Sequence, residues 1–200
     1  MKQLGHALAQ LISYTFHPGI LPTLGAAMLM VFSGHVITPA EFYKTLGIVV
    51  AGTYFLPTLC VLVFKKMGYI DSIHMVKRKD RVLPYFAGAM LAFASAKILP
   101  ATPPFIEVVL SLYAASFIVI MSMALLPFWK SSAHMAGIMG LVALTTHLVE
   151  TDRLPYPAII LTVLAAGAVS WARLYLKRHT AKELISGAVI GFTSLYLVLG

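Results

Sequence analysis

Three polar side chains near the C-terminal end of the sequence have the types and the spacing that phosphate chemistry requires. Arg173 is followed after six residues by His179 and, four residues later, by Glu183. On a helix, a spacing of four places two side chains on one face, so Glu183 can accept a hydrogen bond from the imidazole. That bond would fix the tautomer and leave the other ring nitrogen free to attack or to accept a proton. Arg173 adds a planar fork of donors that suits phosphate oxygens.

The same residues fit a second interpretation that involves no reaction. They lie where two long apolar segments meet, and basic side chains at such a boundary attract anionic phospholipid head groups. Spacing alone therefore leaves two functions open: chemistry on a phosphate that a lipid carries, and binding of lipid head groups.

The composition predicts an integral membrane protein. Of 200 residues, 60% are hydrophobic and only 11% are charged, which is too little polar surface to cover a soluble globule. The net charge is +8, but the basic residues cluster at the ends of apolar segments, so nucleic acid is not an expected partner. Cys60 is the one cysteine and lies inside an apolar segment, so a disulfide within the chain is excluded.

Apolar segments separated by short polar or proline-rich turns predict an all-α, polytopic transmembrane helical bundle. The longer segments can cross a hydrocarbon core of roughly 30 Å, and the shorter ones leave the count at six or seven spans. Neither a repeat nor a linker interrupts the chain, so residues 1–200 are expected to form one domain. The expected location is a bacterial inner (plasma) membrane. The segments are residues 11–32, 43–64, 83–99, 105–128, 129–148, 156–176 and 184–199.

The first of these segments contains two prolines close to its start. Pro18 and Pro22 predict a kink in the span of residues 11–32. His17 stands immediately before this kink. It could line a polar cavity, although capping or solvation of a helix end is the more frequent role of such a histidine.

Two further polar stretches could contribute to the same site. Residues 65–83 contain six basic side chains, which either fix the orientation in the membrane or bring cations to a phosphate. Residues 129–134 stand where a helix begins, and a first helical turn has unpaired amides that suit an anion. The side chains of interest are Lys77, Arg78 and Arg81 in the first stretch, and Lys130, Ser131, Ser132 and His134 in the second.

Two spans separate the first stretch from the second, and two more separate the second from His179. An even number of spans returns the chain to the same side each time, so the three stretches are predicted to share one face of the membrane. That face and the N-terminus hold twelve of the 15 basic residues. The positive-inside rule then favours the cytoplasm for this face.

The residues in these stretches resemble the motifs of the type 2 phosphatidic acid phosphatase (PAP2) family of membrane lipid phosphatases. The third motif of that family is S-R-x-x-x-x-x-H-x-x-x-D, and this chain has Arg173, His179 and Glu183 at the same spacing, with Ala172 in place of serine. The second motif, P-S-G-H, is similar to the sequence SSAH at 131–134. The first motif, lysine followed after six residues by Arg-Pro, is matched only loosely by the sequence KRKDRVLPY at 77–85.

The resemblance implies a PAP2-like core and a mechanism without a metal or other cofactor. His179 would be the nucleophile that forms a phosphohistidine, Glu183 would hold its other ring nitrogen, and His134 would protonate the leaving oxygen and later activate water. The phosphate oxygens would be bound by Arg173, Lys130, Ser132, Lys77, Arg78 and Arg81. The chain also lacks an acidic cluster of the kind that hard cations prefer.

Three functions follow from this resemblance. The first is hydrolysis of a lipid monophosphate or diphosphate, the second is transfer of the phosphate to a lipid alcohol, and the third is lipid binding or transport without turnover. The expected partners are a lipid phosphate and the bilayer. The sequence does not identify the lipid or the oligomeric state, and the outer-face activity common in the family stands against the cytoplasmic face that the charges favour.

Overall fold

The computed structural model of the chain describes residues 2–73, 75 and 77–200, and for Lys2 the backbone alone. The described residues form helices and no strand, which confirms the all-α class. Positions 74 and 76 of the basic stretch 65–83 lie outside the described residues. The helices are α1 Lys2–Thr15, α2 Leu21–Val31, α3 Pro39–Lys66, α4 Val82–Ile98, α5 Ile106–Ala124, α6 Ala133–Glu150, α7 Pro157–Tyr175 and α8 Ala181–Leu199.

Four of the described helices, α3, α5, α7 and α8, are long and apolar enough to cross a membrane. Large apolar side chains cover the outside of the bundle; on α7, for example, Ile160, Leu161 and Leu164 are all at least 60% exposed. Long apolar helices with an apolar outer surface fit a membrane protein. The larger number of six or seven spans stays a prediction.

The predicted first span of residues 11–32 is wrong. The structure divides it into α1 and α2, with a turn between them around Pro18. Proline has no backbone N–H and disfavours helical geometry in the residue before it, so the helix stops where a kink was expected. α2 has 11 residues and is about 16 Å long, about half the thickness of a hydrocarbon core.

α1 packs along α7 instead of crossing the bundle. Ala9 and Ser13 are buried, whereas Leu4, Leu8 and Leu11 form an exposed apolar stripe. Gln3, His6 and Gln10 are exposed on another side of the helix. A helix with one polar and one apolar side suits the surface of a membrane.

α6 is the central and most buried helix, and it packs most extensively against α8. Two glycines of α8 permit this close approach. Gly187 faces the backbone of Ser132, and a Cβ atom placed on Gly191 would lie 2.7 Å from the Cα atom of Ala136. Small residues let helix backbones approach each other in membrane proteins. This contact sets the position of α8, whose N-terminal turn contains Glu183.

Alanine at Gly191 is therefore expected to destabilise the protein. The added methyl group meets the backbone of α6, which cannot rotate away as a side chain can, and overpacking of this kind costs about 3 kcal/mol. The thermal unfolding midpoint in detergent micelles measures the effect. Gly167→Ala is the matched control, because a Cβ atom at Gly167 has open space around it. Equal midpoints for the two variants would contradict this packing.

The end of the bundle away from the candidate site is closed by a charged cluster. Arg153 donates two hydrogen bonds of 2.7 Å to the Glu107 carboxylate, and His147 Nε2 lies 3.1 Å from the same carboxylate. These residues join the start of α5 to the end of α6 and the loop that follows. His147 lies about 20 Å along α6 from His134 and thus has a structural role at this end of the bundle.

Candidate functional site

The third polar stretch forms a tight connection between α7 and α8. Arg173 lies in the last turn of α7, and its carbonyl accepts a hydrogen bond from the Arg178 amide. Lys177 has a φ of 53°, which is the left-handed conformation that commonly ends a helix. Thr180 then caps α8, with the Glu183 amide bonded to its hydroxyl and the Glu183 carboxylate bonded to its amide. His179 therefore stands just before the cap of α8.

His179 and Glu183 form the pair that their spacing predicts. The Nδ1–H of His179 donates to Oε2 of Glu183 at 3.2 Å, and the same oxygen accepts from the Thr180 amide at 2.9 Å. The carboxylate thus holds the histidine and caps the helix at once. Because Nδ1 carries the proton, Nε2 has the lone pair that a nucleophile needs.

Burial keeps His179 uncharged at neutral pH. Its side chain is only 4% exposed. Burial, together with the positive charges of Arg173, Arg81 and Lys130, lowers the pKa of His179 to about 3. A neutral imidazole is the form that can attack a phosphorus atom.

Replacing Arg81 with glutamine is expected to raise the pKa of His179, by on the order of one unit, because a repelling positive charge is lost. The unfolded chain binds a proton below pH 6.5, whereas the native histidine binds it only near pH 3. The free energy of unfolding therefore decreases as the pH falls from 6.5 to about 3. In Arg81→Gln the native pKa of His179 is higher, so this pH range is narrower and the variant should lose less unfolding free energy.

NMR titration of isotope-labelled histidine in micelles measures this pKa directly. Arg178→Gln is the control, because Arg178 is exposed and does not shift the pKa of His179. A His179 pKa that stays the same in Arg81→Gln would show that Arg81 does not act on the imidazole.

The second polar stretch meets the third through its backbone. The amide of Ser132 donates to the carbonyl of Glu183 at 2.9 Å, and Ser132 is fully buried. Its hydroxyl caps α6 by accepting from the Met135 amide at 3.4 Å. Ser131 is also buried, and its hydroxyl has no hydrogen-bond partner among the described residues. The free hydroxyl beside the site is therefore that of Ser131, whereas Ser132, the predicted phosphate ligand, is held as a helix cap.

The three predicted phosphate ligands of the basic stretch differ in their partners and in whether they lie near His179. Arg81 acts electrostatically on His179 and is held by the Met75 carbonyl and the Tyr85 hydroxyl. Arg78 donates to the Pro127 carbonyl at 3.1 Å and so ties this stretch to the segment before Lys130. Lys77 is exposed and paired with Asp71 at 2.6 Å. The structure thus brings Arg81 to the site and directs Lys77 and Arg78 to other partners.

His134 and Arg173 are connected by a residue that the sequence did not suggest. The Nε2–H of His134 donates to the carbonyl of Ser13 at 3.2 Å, and Arg173 Nη1 donates to the Ser13 hydroxyl at 3.4 Å. Ser13 belongs to α1, so the N-terminal helix covers the site. The Nε of Arg173 has no hydrogen-bond partner among the described residues, which leaves a buried donor for an anion.

His17 is a third histidine beside the site. Its ring lies 5.9 Å from that of His134 and 5.3 Å from that of Tyr54. The amide of Gly19 donates to His17 Nδ1 at 3.2 Å, so Nε2 carries the proton of the neutral ring. Burial and the charge of Arg173 lower the pKa of His17. The structure places His17 in a cavity wall, but this cavity is mostly apolar and not the polar one that was expected, and the bond from Gly19 to His17 lies in the turn before α2.

Together, these groups can bind and react with a phosphate. A neutral imidazole oriented by a carboxylate, a guanidinium with a free buried donor and a second imidazole lie at one end of the bundle, with Arg81 and Lys130 acting on the first imidazole. Comparisons with models of known protein families, with curated proteins and with solved structures give no match to this chain. The geometry of the site and the spacing of its motifs are therefore the observations that bear on function.

Proposed function

We propose that this protein is a metal-independent phosphatase that hydrolyses a lipid monophosphate or diphosphate at the membrane interface. The observation that carries the proposal is the buried pair of His179 and Glu183 beside Arg173. The carboxylate orients the imidazole, burial keeps it neutral, and the guanidinium is available for the phosphate.

The proposed reaction has two steps. In the first, Nε2 of His179 attacks phosphorus, the bond between phosphorus and the lipid oxygen breaks, and His134 donates a proton to that oxygen. In the second, His134 takes a proton from water, the hydroxide attacks phosphorus, and the phosphorus–nitrogen bond breaks to release phosphate and His179. The Ser13 carbonyl accepts the Nε2–H of His134, so the transferred proton is assigned to Nδ1. His134 takes up this proton from the phosphate group, which binds as the monoanion, and after the second step the released phosphate carries away the proton that water supplied.

The positive groups stabilise the charge that develops on the phosphate oxygens in both steps. Arg173 has the planar donor geometry for two of these oxygens, and Lys130 and Arg81 add charge from neighbouring elements. The Ser131 hydroxyl and the first amides of α6 are further donors at the same end of the bundle.

The test is phosphate release by the purified protein in detergent with excess chelator, measured with phosphatidic acid, phosphatidylglycerophosphate, a polyprenyl diphosphate and a phosphorylated glycolipid. Release from at least one lipid is the expected result, and orthovanadate, which resembles the pentacoordinate phosphorus, should inhibit it. Adding a lipid alcohol distinguishes hydrolysis from transfer, because a transferase would form a new lipid phosphate. No phosphate release from any of these lipids would contradict the proposal.

Lipid binding without turnover is the second candidate function. It is favoured by an apolar cavity that begins beside the site and by the covering of His134 and Arg173 by α1. This function predicts that the lipid phosphates bind to the protein and that none is hydrolysed. Binding and phosphate release measured on the same preparation separate the two functions.

A further inference from the structure

The long helix α3 contains a local change of geometry halfway along its length. Residues Ala51–Phe55 form a π-helical turn, in which the Leu56 amide bonds to the Ala51 carbonyl five residues earlier. Pro57 follows directly and cannot donate a backbone hydrogen bond. Proline and π-turns are the common causes of bends in helices.

Beyond this turn, the second half of α3 makes its main contact with α4. The first half packs against α2, so the two halves have different neighbours. The result is a cavity of about 440 Å³ between the second half of α3 and the helices α2, α4, α5 and α6. Most of its wall is apolar, as in sites that bind hydrophobic ligands.

One end of the cavity is lined by His17 and Ala133, which are neighbours of His134, and from there the cavity runs into the interior of the bundle. Its wall on α6 extends from Ala133, next to His134, to Leu144, which is about 16 Å further along the helix. Its wall on α5 covers the same length, from Ser122 to Ser111. His17 lies in the wall at the end near the site.

We infer that this cavity binds one hydrocarbon chain of the lipid phosphate, with the phosphate at His179 and the chain running along α6 toward Leu144. The inference rests on the proposed function, because that function supplies the phosphate-bearing end of the ligand. An apolar chain is the occupant that fits, since the part of the wall that the structure describes is mostly apolar and has no charged Asp, Glu, Lys or Arg side chain; its polar residues besides His17, Tyr54 and Tyr85 are serines and threonines.

Gly88 offers a way to obstruct the cavity without disturbing the helices. It lines the cavity on α4, about 6 Å along the helix from Pro84, and a Cβ atom placed on it meets nothing within 4 Å. Leucine at this position would occupy the space of the chain. Gly167→Leu is the matched control, since Gly167 has equally open surroundings but lies on the outside of α7.

The first test is photolabelling in detergent with a hexadecyl phosphonate that has a diazirine at the end of its chain and cannot be hydrolysed. Mass spectrometry should find the label on cavity-lining segments of α5 and α6, including Ser111 and Leu144. Gly88→Leu should reduce this labelling at least tenfold, and Gly167→Leu should leave it unchanged. Labels confined to the outer surface of the bundle, or equal in the two variants, would overturn the inference.

The second test is phosphate release from octyl and hexadecyl phosphate. Each buried methylene is worth up to about fourfold in affinity, so the wild type should prefer the longer chain and Gly88→Leu should lose most of that preference. Absence of phosphate release from the wild type would contradict the proposed function, whereas the photolabelling result would still decide whether the chain occupies the cavity. Release with an unchanged chain preference in Gly88→Leu would overturn the inference and leave the proposed function standing.

Discussion

Alanine in place of His179 is expected to lower phosphate release from a lipid phosphate by at least about a thousandfold, because the reaction loses its nucleophile. The expected loss is in kcat, since Arg173 and the apolar cavity remain to bind the lipid. Wild-type protein incubated with lipid that carries radioactive phosphate and quenched in alkali should retain label on a histidine. The variant should retain none.

The position of His179 requires a control for folding. Asparagine at this position keeps an N–H donor for the Glu183 carboxylate but has no nucleophilic nitrogen, so it should be as inactive as alanine and unfold closer to the wild-type temperature. His35→Ala tests the removal of a histidine as such, because His35 is exposed and lies in the loop between α2 and α3. Activity retained in both His179 variants would assign the nucleophile to another residue.

The His179–Glu183 pair was accessible from the sequence because its geometry is local. A spacing of four on a helix fixes the distance between two side chains, and the capping box of Thr180 and Glu183 determines where that helix begins. The sequence also predicts that the three polar stretches lie at the same end of the bundle, because this requires only an even number of crossings between them. The bonds from Arg78 to Pro127 and from Ser132 to Glu183 join these stretches.

The contribution of the N-terminal segment was not accessible. Ser13 and His17 are more than a hundred residues from their partners in the sequence, so spacing contains no information about their contacts. The apolar residues of α1 and α2 also form one run, and a run of that length predicts a span. The break at Pro18 and the packing of α1 against α7 turned this run into a helix that covers the site.

The cavity also depends on packing that the sequence does not specify. A proline within an apolar segment predicts a kink but neither its direction nor the helices between which space opens. Pro57 lies in the predicted span of residues 43–64, which α3 contains in full. Only the placement of α3 against α4 shows that its kink opens beside the polar site.

Asparagine in place of His134 is expected to lower hydrolysis of an alkyl phosphate by about 10²–10⁴-fold, because an alkoxide leaves slowly unless it receives a proton. The size of this loss should depend on the leaving group. A nitrophenolate is stable without a proton, so the first-turnover burst of nitrophenolate should fall less than about tenfold, although the later attack of water, which His134 also assists, is slowed for both substrates. Comparing the two substrates in wild type and variant therefore isolates the proton transfer from phosphate binding, which both substrates share.

His17 is the natural comparison, since its ring is 5.9 Å from that of His134 and it lines the cavity in which we place the lipid chain. Its Nε2–H is directed by the bond from the Gly19 amide to Nδ1, so His17 also holds a proton near the site. If His134 protonates the leaving oxygen, His17→Asn should reduce the hydrolysis of both substrates by similar factors. The opposite pattern would be a loss confined to the alkyl phosphate in His17→Asn, together with equal losses for both substrates in His134→Asn. That pattern would assign the general acid to His17, and His134, which is bound to Ser13, would be a positioning residue.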